Sequence, residues 1–459
     1  MPLGCDLMKT KSSLLIVLLI PFLSMPASGQ LTAEYWMNYS LSLASQGRYA
    51  DAVLGFDSAI KMEPKNMDAR FWKGAALYSQ GKYAEALVCY DEALDIDSSL
   101  PQMWNARGLT LVALGRYEEA LKSYDKAIRR NPKLAGSWSN RGQVLTLLER
   151  YNESLESFDN ATNIDPDLAD VWVYKAMIHI KLHNYQDAIS SSDQALRINP
   201  SYALALHVKG AALSILGRYD GAIKCYDEAI ALGSQGADIW VDKANALVAG
   251  GKMEAAIGCY DKALDLDSSQ PSVWFAKGNA LRYLGRNREA LDCFDKAIDL
   301  VSPGKGAAIS AGTGAGITIL VWSEADFQNG KGLSLYDLGR YNEAIQAFNE
   351  SLKVDPSYAD AWLNMGKSLI KLGKYEEALT CLDRATVLNP SDAEAWNSKG
   401  LAMVSLKRYG EALPYLNKSL ELAPSNENAW NNTGWALEGL GRAKDAKAAY
   451  TRAQELKNT

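Results

Sequence analysis

The sequence predicts an all-α chain, an array of about twelve stacked helix–turn–helix units. Three observations predict it. Shifted by 34 residues, the sequence overlays itself from near its start to its end, most plainly over Pro101 to Leu134. Within each unit, small and apolar residues recur at helical spacing: Trp104, Gly108 and Leu111, then Ala120, Tyr124 and Ala127. Gly115 and Pro132 punctuate the unit, one at a turn and one at a helix end. In such an array each unit packs only on its neighbours, so a 459-residue chain needs no single large core.

Counted from three residues before the tryptophan, the copies begin at Ala33, Met67, Pro101, Ala135, Ala169, Ala203, Ala237, Pro271, Ala325, Ala359, Ala393 and Glu427. The first helix carries Trp at its fourth position in nine copies, and a small residue four positions later in all twelve. The second helix carries Ala at position 20 in eleven copies and Ser154 in the fourth. Small residues facing each other would let the helix axes approach, with Trp, Leu and Tyr or Phe filling the space around them. Gly115 and its equivalents suit a left-handed helix end. Pro64, Pro132, Pro166, Pro200, Pro356, Pro390 and Pro424 stop the second helix, since proline donates no helical bond.

These spacings resemble the tetratricopeptide repeat over about nine-tenths of the chain. The resemblance implies an α-solenoid, a right-handed superhelix whose first helices line the concave face. It also implies a protein-binding scaffold, with ligand contacts from first-helix positions 2, 5, 6, 9, 12 and 13. Carried onto this chain, those positions give Val241 and Asn245 in copy seven, and Phe275, Asn279 and Tyr283 in copy eight, as candidate peptide-binding residues. Asn245 and Asn279 sit at equivalent places, and an asparagine amide can clamp a peptide backbone with donor and acceptor together. Phe71, Trp72, Tyr78 and Trp435 are further aromatic candidates. No copy has Lys at position 5, so the family's grip on a terminal carboxylate is not expected.

One departure from the family pattern concerns charge. Position 7 is Lys or Arg in nine copies, and position 25 is Asp in copies two to eight. A ladder of ion pairs is expected, either within a copy, as between Lys243 and Asp261, or between copies.

Two stretches lie outside the repeat. Residues 1–29 read as a secretory signal peptide or an N-terminal anchor: Lys9 and Lys11 precede an apolar run too short to span a bilayer, followed by Ala27, Ser28 and Gly29. This points to an extracytoplasmic protein, secreted or at the cell surface, with membrane attachment only through an uncleaved leader. Residues 305–324 interrupt the array between copies 1–8 (33–304) and copies 9–12 (325–459). That insertion is rich in Gly and Ala, then apolar from Ile317 to Trp322, and reads as a hinge whose apolar end packs on the following first helix, or as a loop over the groove.

Signals for chemistry are sparse. The net charge is −6 with no long basic run, so no nucleic-acid surface is expected. His179 and His183 lack the Glu of a zinc-protease helix, and His179 stands where most other copies have Leu; His207 is expected to face the groove. Gly312, Gly314 and Gly316 miss the dinucleotide spacing. Cys89, Cys225, Cys259, Cys293 and Cys381 recur at one repeat position, as packing residues too far apart to pair. The sequons at Asn38, Asn152, Asn160, Asn349, Asn417 and Asn431 fall mostly inside predicted helices. No catalytic, cofactor or metal residue is expected. The reading is a protein-binding scaffold rather than an enzyme. The alternatives are end-to-end self-assembly, since no separate capping helix follows the last copy, and a ligand-binding or enzymatic role resting on the insertion.

Overall fold

The structure is a computed structural model that describes residues 32–301 and 322–457. The leader and nearly all of the insertion lie outside the described residues. Among the described residues there are 24 α-helices and no strand. Eleven of the twelve first helices begin at the residue the repeat predicts, from Ala33–Ser45 to Glu427–Gly439. The ninth, Glu324–Asp337, starts one residue early because Ser323 caps it. The Ser323 hydroxyl accepts from the Asp326 N–H, and the Asp326 carboxylate accepts from the Ser323 N–H at 2.7 Å.

Each helix pair closes through the expected turn. Gly115 has φ +71°, its N–H donates to Val112 O, and the Arg116 N–H donates to Leu111 O. Three copies place Glu149, His183 and Lys407 there instead, at φ near +60°. The close approach of the two helices differs in detail from the expectation of small residue against small residue. An added Cβ on Gly108 would lie 2.5 Å from the Tyr124 ring, and one on Gly142 2.6 Å from Phe158. The glycine is small because the ring of the second helix lies directly upon it.

The described chain forms two compact units, Met1–Ser234 and Gln235–Thr459, holding copies one to six and seven to twelve. Within each, every second helix packs on the next copy's first helix, and most successive first helices also touch. In the second unit, copies eight and nine stay stacked although the insertion separates them in sequence. Lys331 Nζ lies 2.7 Å from Asp295, and the Phe275 ring packs 5.1 Å from Phe327. Trp322, at the end of the insertion, packs 4.9 Å from Phe275, on the preceding first helix rather than the following one.

The last second helix, Ala443–Lys457, departs from its equivalents. Positions 21 and 28 are apolar or threonine in all earlier copies, where they meet the next helix pair; here they are Lys447 and Gln454. On that face this helix is polar where its equivalents are apolar or threonine. All five cysteines outside the leader are buried and form no disulfide, and burial pushes the Cys293 thiol up to about 11. They are packing residues.

Candidate functional site on the first helices

The seam between copies decides which first-helix side chains remain available. The cation at position 7 pairs with the aspartate at position 25 of the copy before. Lys73–Asp57, Arg141–Asp125, Lys175–Asp159, Lys209–Asp193, Lys277–Asp261 and Lys399–Asp383 are held at 2.6–2.9 Å. The ladder therefore runs between copies. Asp261 is taken by Lys277 and is not the partner of Lys243 in its own copy. The sequence carried this signal: where position 7 is Met365 or Thr433, the preceding position 25 is Asn349 or Asn417.

Tryptophan completes the seam. Lys175 Nζ lies 4.2 Å from the Trp172 ring centre, and Lys277 lies 5.5 Å from that of Trp274. The indole N–H donates to a carbonyl six residues earlier, Trp138 to Pro132 and Trp362 to Pro356 at 3.0 Å, tying each first helix to the turn before it. Where the cation is Arg107 or Arg141, its second N–H group donates to Ser123 or Ser157 of its own copy. These residues are occupied in holding the stack together.

Of the predicted contact residues, Tyr283 is 74% exposed and Asn245 is exposed, with its Oδ1 accepting from the Tyr260 hydroxyl at 2.6 Å. Val241 and Asn279 are half-buried. Phe275 is a correction. It is only 5% exposed, wedged against Phe294, Phe327 and Trp322, because copy nine covers its ring. His207 is a second correction: it is buried edge-on to Tyr226 rather than open to the groove. Trp435 is 51% exposed, while Phe71, Trp72 and Tyr78 are half-buried.

A set of amide contacts was not anticipated. Asn at position 6 of one copy donates to Asn at position 5 of the copy before: Asn140 to Asn105, Asn364 to Asn329, and Asn432 to Asn397, at 2.8–3.2 Å. The recurring Asn at adjacent positions one copy apart was the available signal.

Among the described residues, no group of three His, Cys, Asp or Glu side chains could hold a metal ion. No described helix is long and apolar enough to cross a membrane. The six sequons all lie within helices. The hydroxyls two residues on, at Ser40, Ser154, Thr162, Ser351, Ser419 and Thr433, are buried and donate to backbone carbonyls. Those of Ser40, Thr162 and Thr433 stay within their own helix, and those of Ser154, Ser351 and Ser419 cross to the first helix of the pair, so all six hydroxyls serve packing.

Comparison with known proteins gives a consistent family. The sequence model for the Cilia and flagella-associated protein 70 C-terminal domain, a tetratricopeptide domain, matches residues 39–268. Tetratricopeptide repeat models match residues 271–302, 335–401, 393–426 and 427–459. No curated protein matches the chain. Similar solved structures include the APC/C hetero-tetramer Cut9–Hcn1, 16% identical over 88% of this chain and 96% of that chain, with a TM-score of 0.42. Yeast Tom70 is 17% identical over 86% and 93%, with a TM-score of 0.39. YrrB, described as a TPR protein with an unusual peptide-binding site, is 23% identical over 45% and 96%, with a TM-score of 0.35.

Proposed function

We propose, from the premise that this chain belongs to the tetratricopeptide repeat family, that it is a non-enzymatic scaffold. Its partners are other proteins, bound as extended segments along the first-helix face. One observation carries this reading: Tyr283 leaves 74% of an aromatic side chain in water on that face, at a position the seam does not use. A rigid aromatic presented in this way is a ready anchor that loses little freedom on binding. The leader expected at residues 1–29 supports a protein outside the cytoplasm, secreted or at the cell surface, or attached to the membrane through an uncleaved leader.

Self-assembly through the ends is the weaker reading. Lys447 and Gln454 turn the helix Ala443–Lys457 polar on the face where another copy would have to stack.

The test is an affinity capture from native extract, with the full chain beside a variant carrying Asn245→Ala, Asn279→Ala and Tyr283→Ala. Phe275 is left intact because its loss would open the core. A partner held by the first bait and lost from the equally folded second supports the reading. A partner held equally by both moves the site elsewhere, and capture of the chain alone favours assembly.

A further inference from the structure

Resting on the reading that the partners are proteins, we propose a second docking surface, apart from the first-helix face. It lies at the end of the second helix of copy three, Tyr117–Arg130, and takes an acidic segment of a partner protein. Copy three, residues 101–134, carries seven cations and three carboxylates, whereas copies two and four carry six carboxylates each. Its own carboxylates are all engaged. Glu119 is held by Arg116 at 2.7 Å, Asp125 by Arg141 at 2.9 Å, and Glu118 lies 3.7 Å from Arg150. Arg107 is taken by Asp91 in the seam. Five cations are left over: Lys122, Lys126, Arg129, Arg130 and Lys133. Among the described residues, none of the five is in an ion pair.

The four helical cations form one stripe, and Lys133 follows in the turn. This stripe does not come from the repeat. Arg130 fills a position that is Met, Ile, Leu or Val in the eleven other copies. Trp104 gathers the cations: Lys126 Nζ lies 4.0 Å from its ring centre and the Arg130 guanidinium carbon 5.2 Å. The indole steadies these side chains without cancelling their charge. Lys122, Arg129, Arg130 and Lys133 are exposed. Asp97 in the preceding loop is within reach of the Arg130 field, but its carboxylate accepts from the Ser99 N–H at 2.7 Å. The flanking first helices, Pro101–Ala113 and Ala135–Leu147, carry no acid in their first turns, whereas eight of the other ten do.

The geometry selects the class of partner. A single phosphate finds no cradle here: the Asn131 N–H donates to Ala127 O, the Lys133 N–H to Asn131 Oδ1, and Arg130 spends donors on Lys126 O and Ser98 Oγ. A row of separate cations suits carboxylates spaced along a chain. An anionic membrane or a nucleic acid would lay its charge against copies two and four as well, whose carboxylates repel it. A short acidic segment meets copy three alone.

The test is binding of a fluorescein-labelled peptide of four glutamates alternating with serines, read by anisotropy on the full chain. The peptide should bind, its glutamine version should not, and raising the salt from about 0.05 to about 0.5 M should release it. Arg129→Glu with Lys133→Glu should weaken it about tenfold, as two exposed attractions become repulsions. Lys181→Glu with Arg197→Glu, the same charge change in copy five, should leave it within about twofold. Arg130→Ile restores the residue type of the other copies, so it keeps the fold, checked by thermal melting, and should weaken binding about threefold. Equal binding of the glutamine peptide, equal loss in both double variants, no loss in the copy-three variants, or tighter binding to phosphatidylglycerol vesicles or single-stranded DNA overturns the proposal. Tyr283→Ala separates the two readings and should leave the peptide bound. Loss in Tyr283→Ala alone removes this surface and leaves the scaffold reading standing. The expected pattern in a chain that captures no protein from extract keeps the surface and counts against the scaffold reading.

Discussion

At the seam between copies, a tryptophan, a cation and an aspartate recur at fixed positions through most of the array. On the first-helix face, positions 5 and 13 change from copy to copy: Val241 and Ala249 in one, Phe275 and Tyr283 in the next. The same helices supply both regions. What repeats is spent on neighbours, since every copy faces the same stacking problem. What varies is left over from that problem and is free to face a partner. Phe275 marks the limit of this division: it varies, yet copy nine buries it.

This contrast can be broken most strongly from the packed side. Gly108→Ala drives a Cβ to 2.5 Å from the Tyr124 ring and should cost about 2–3 kcal/mol, read as a lowered urea midpoint. The pairing at the seam is smaller. Asp125→Ala and Arg141→Ala should each destabilise by about 1 kcal/mol, and the double variant by less than their sum, because the 2.9 Å pair is only partly shielded from water. Additive losses would show that the ladder contributes no coupling.

A repeat position filled against its own rule gives an effect of similar size and opposite sign. His179 stands where ten of the other eleven copies have Leu, and its buried Nδ1 has no partner. Burial holds its imidazole below the ordinary histidine value, with Asp187 opposing and Lys175 assisting. The unfolded chain therefore binds the proton first. Stability is full above the ordinary value of about 6.5 and falls as the pH drops through it. His179→Leu should raise the melting temperature and remove the part of the acid-side loss that His179 causes. Glu149→Gly relieves a positive φ of 58° and should stabilise by about 1 kcal/mol. The smallest effect sharpens the comparison from the other side: Tyr283→Ala should change stability by less than about 0.5 kcal/mol while weakening partner capture.

Much of this was legible in the sequence. Period, helix starts, turn glycines and terminal prolines follow from residue types that tolerate only one place in a helix pair. The ninth helix began early because a local cap, Ser323 with Asp326, outweighed the repeat register. The ladder's direction was readable from Met365 with Asn349 and Thr433 with Asn417, where cation and aspartate vanish together. Burial was not readable. Phe275 and His207 occupy face positions by count, and only the packing of neighbouring rings puts them inside. The asparagine pairs escaped for a related reason, since each joins two copies and belongs to neither alone.

The seam also makes length a free variable. Copies two to five, and copy eight, each present a cation to the copy before and an aspartate to the one after. Excision of residues 169–202 would set Asp159 against Lys209, the same match that Lys175 makes now. Excision of residues 359–392 would set Asn349 against Lys399 and leave the lysine without its carboxylate. The early copies can be gained or lost like interchangeable links, while the later ones are keyed to a fixed order.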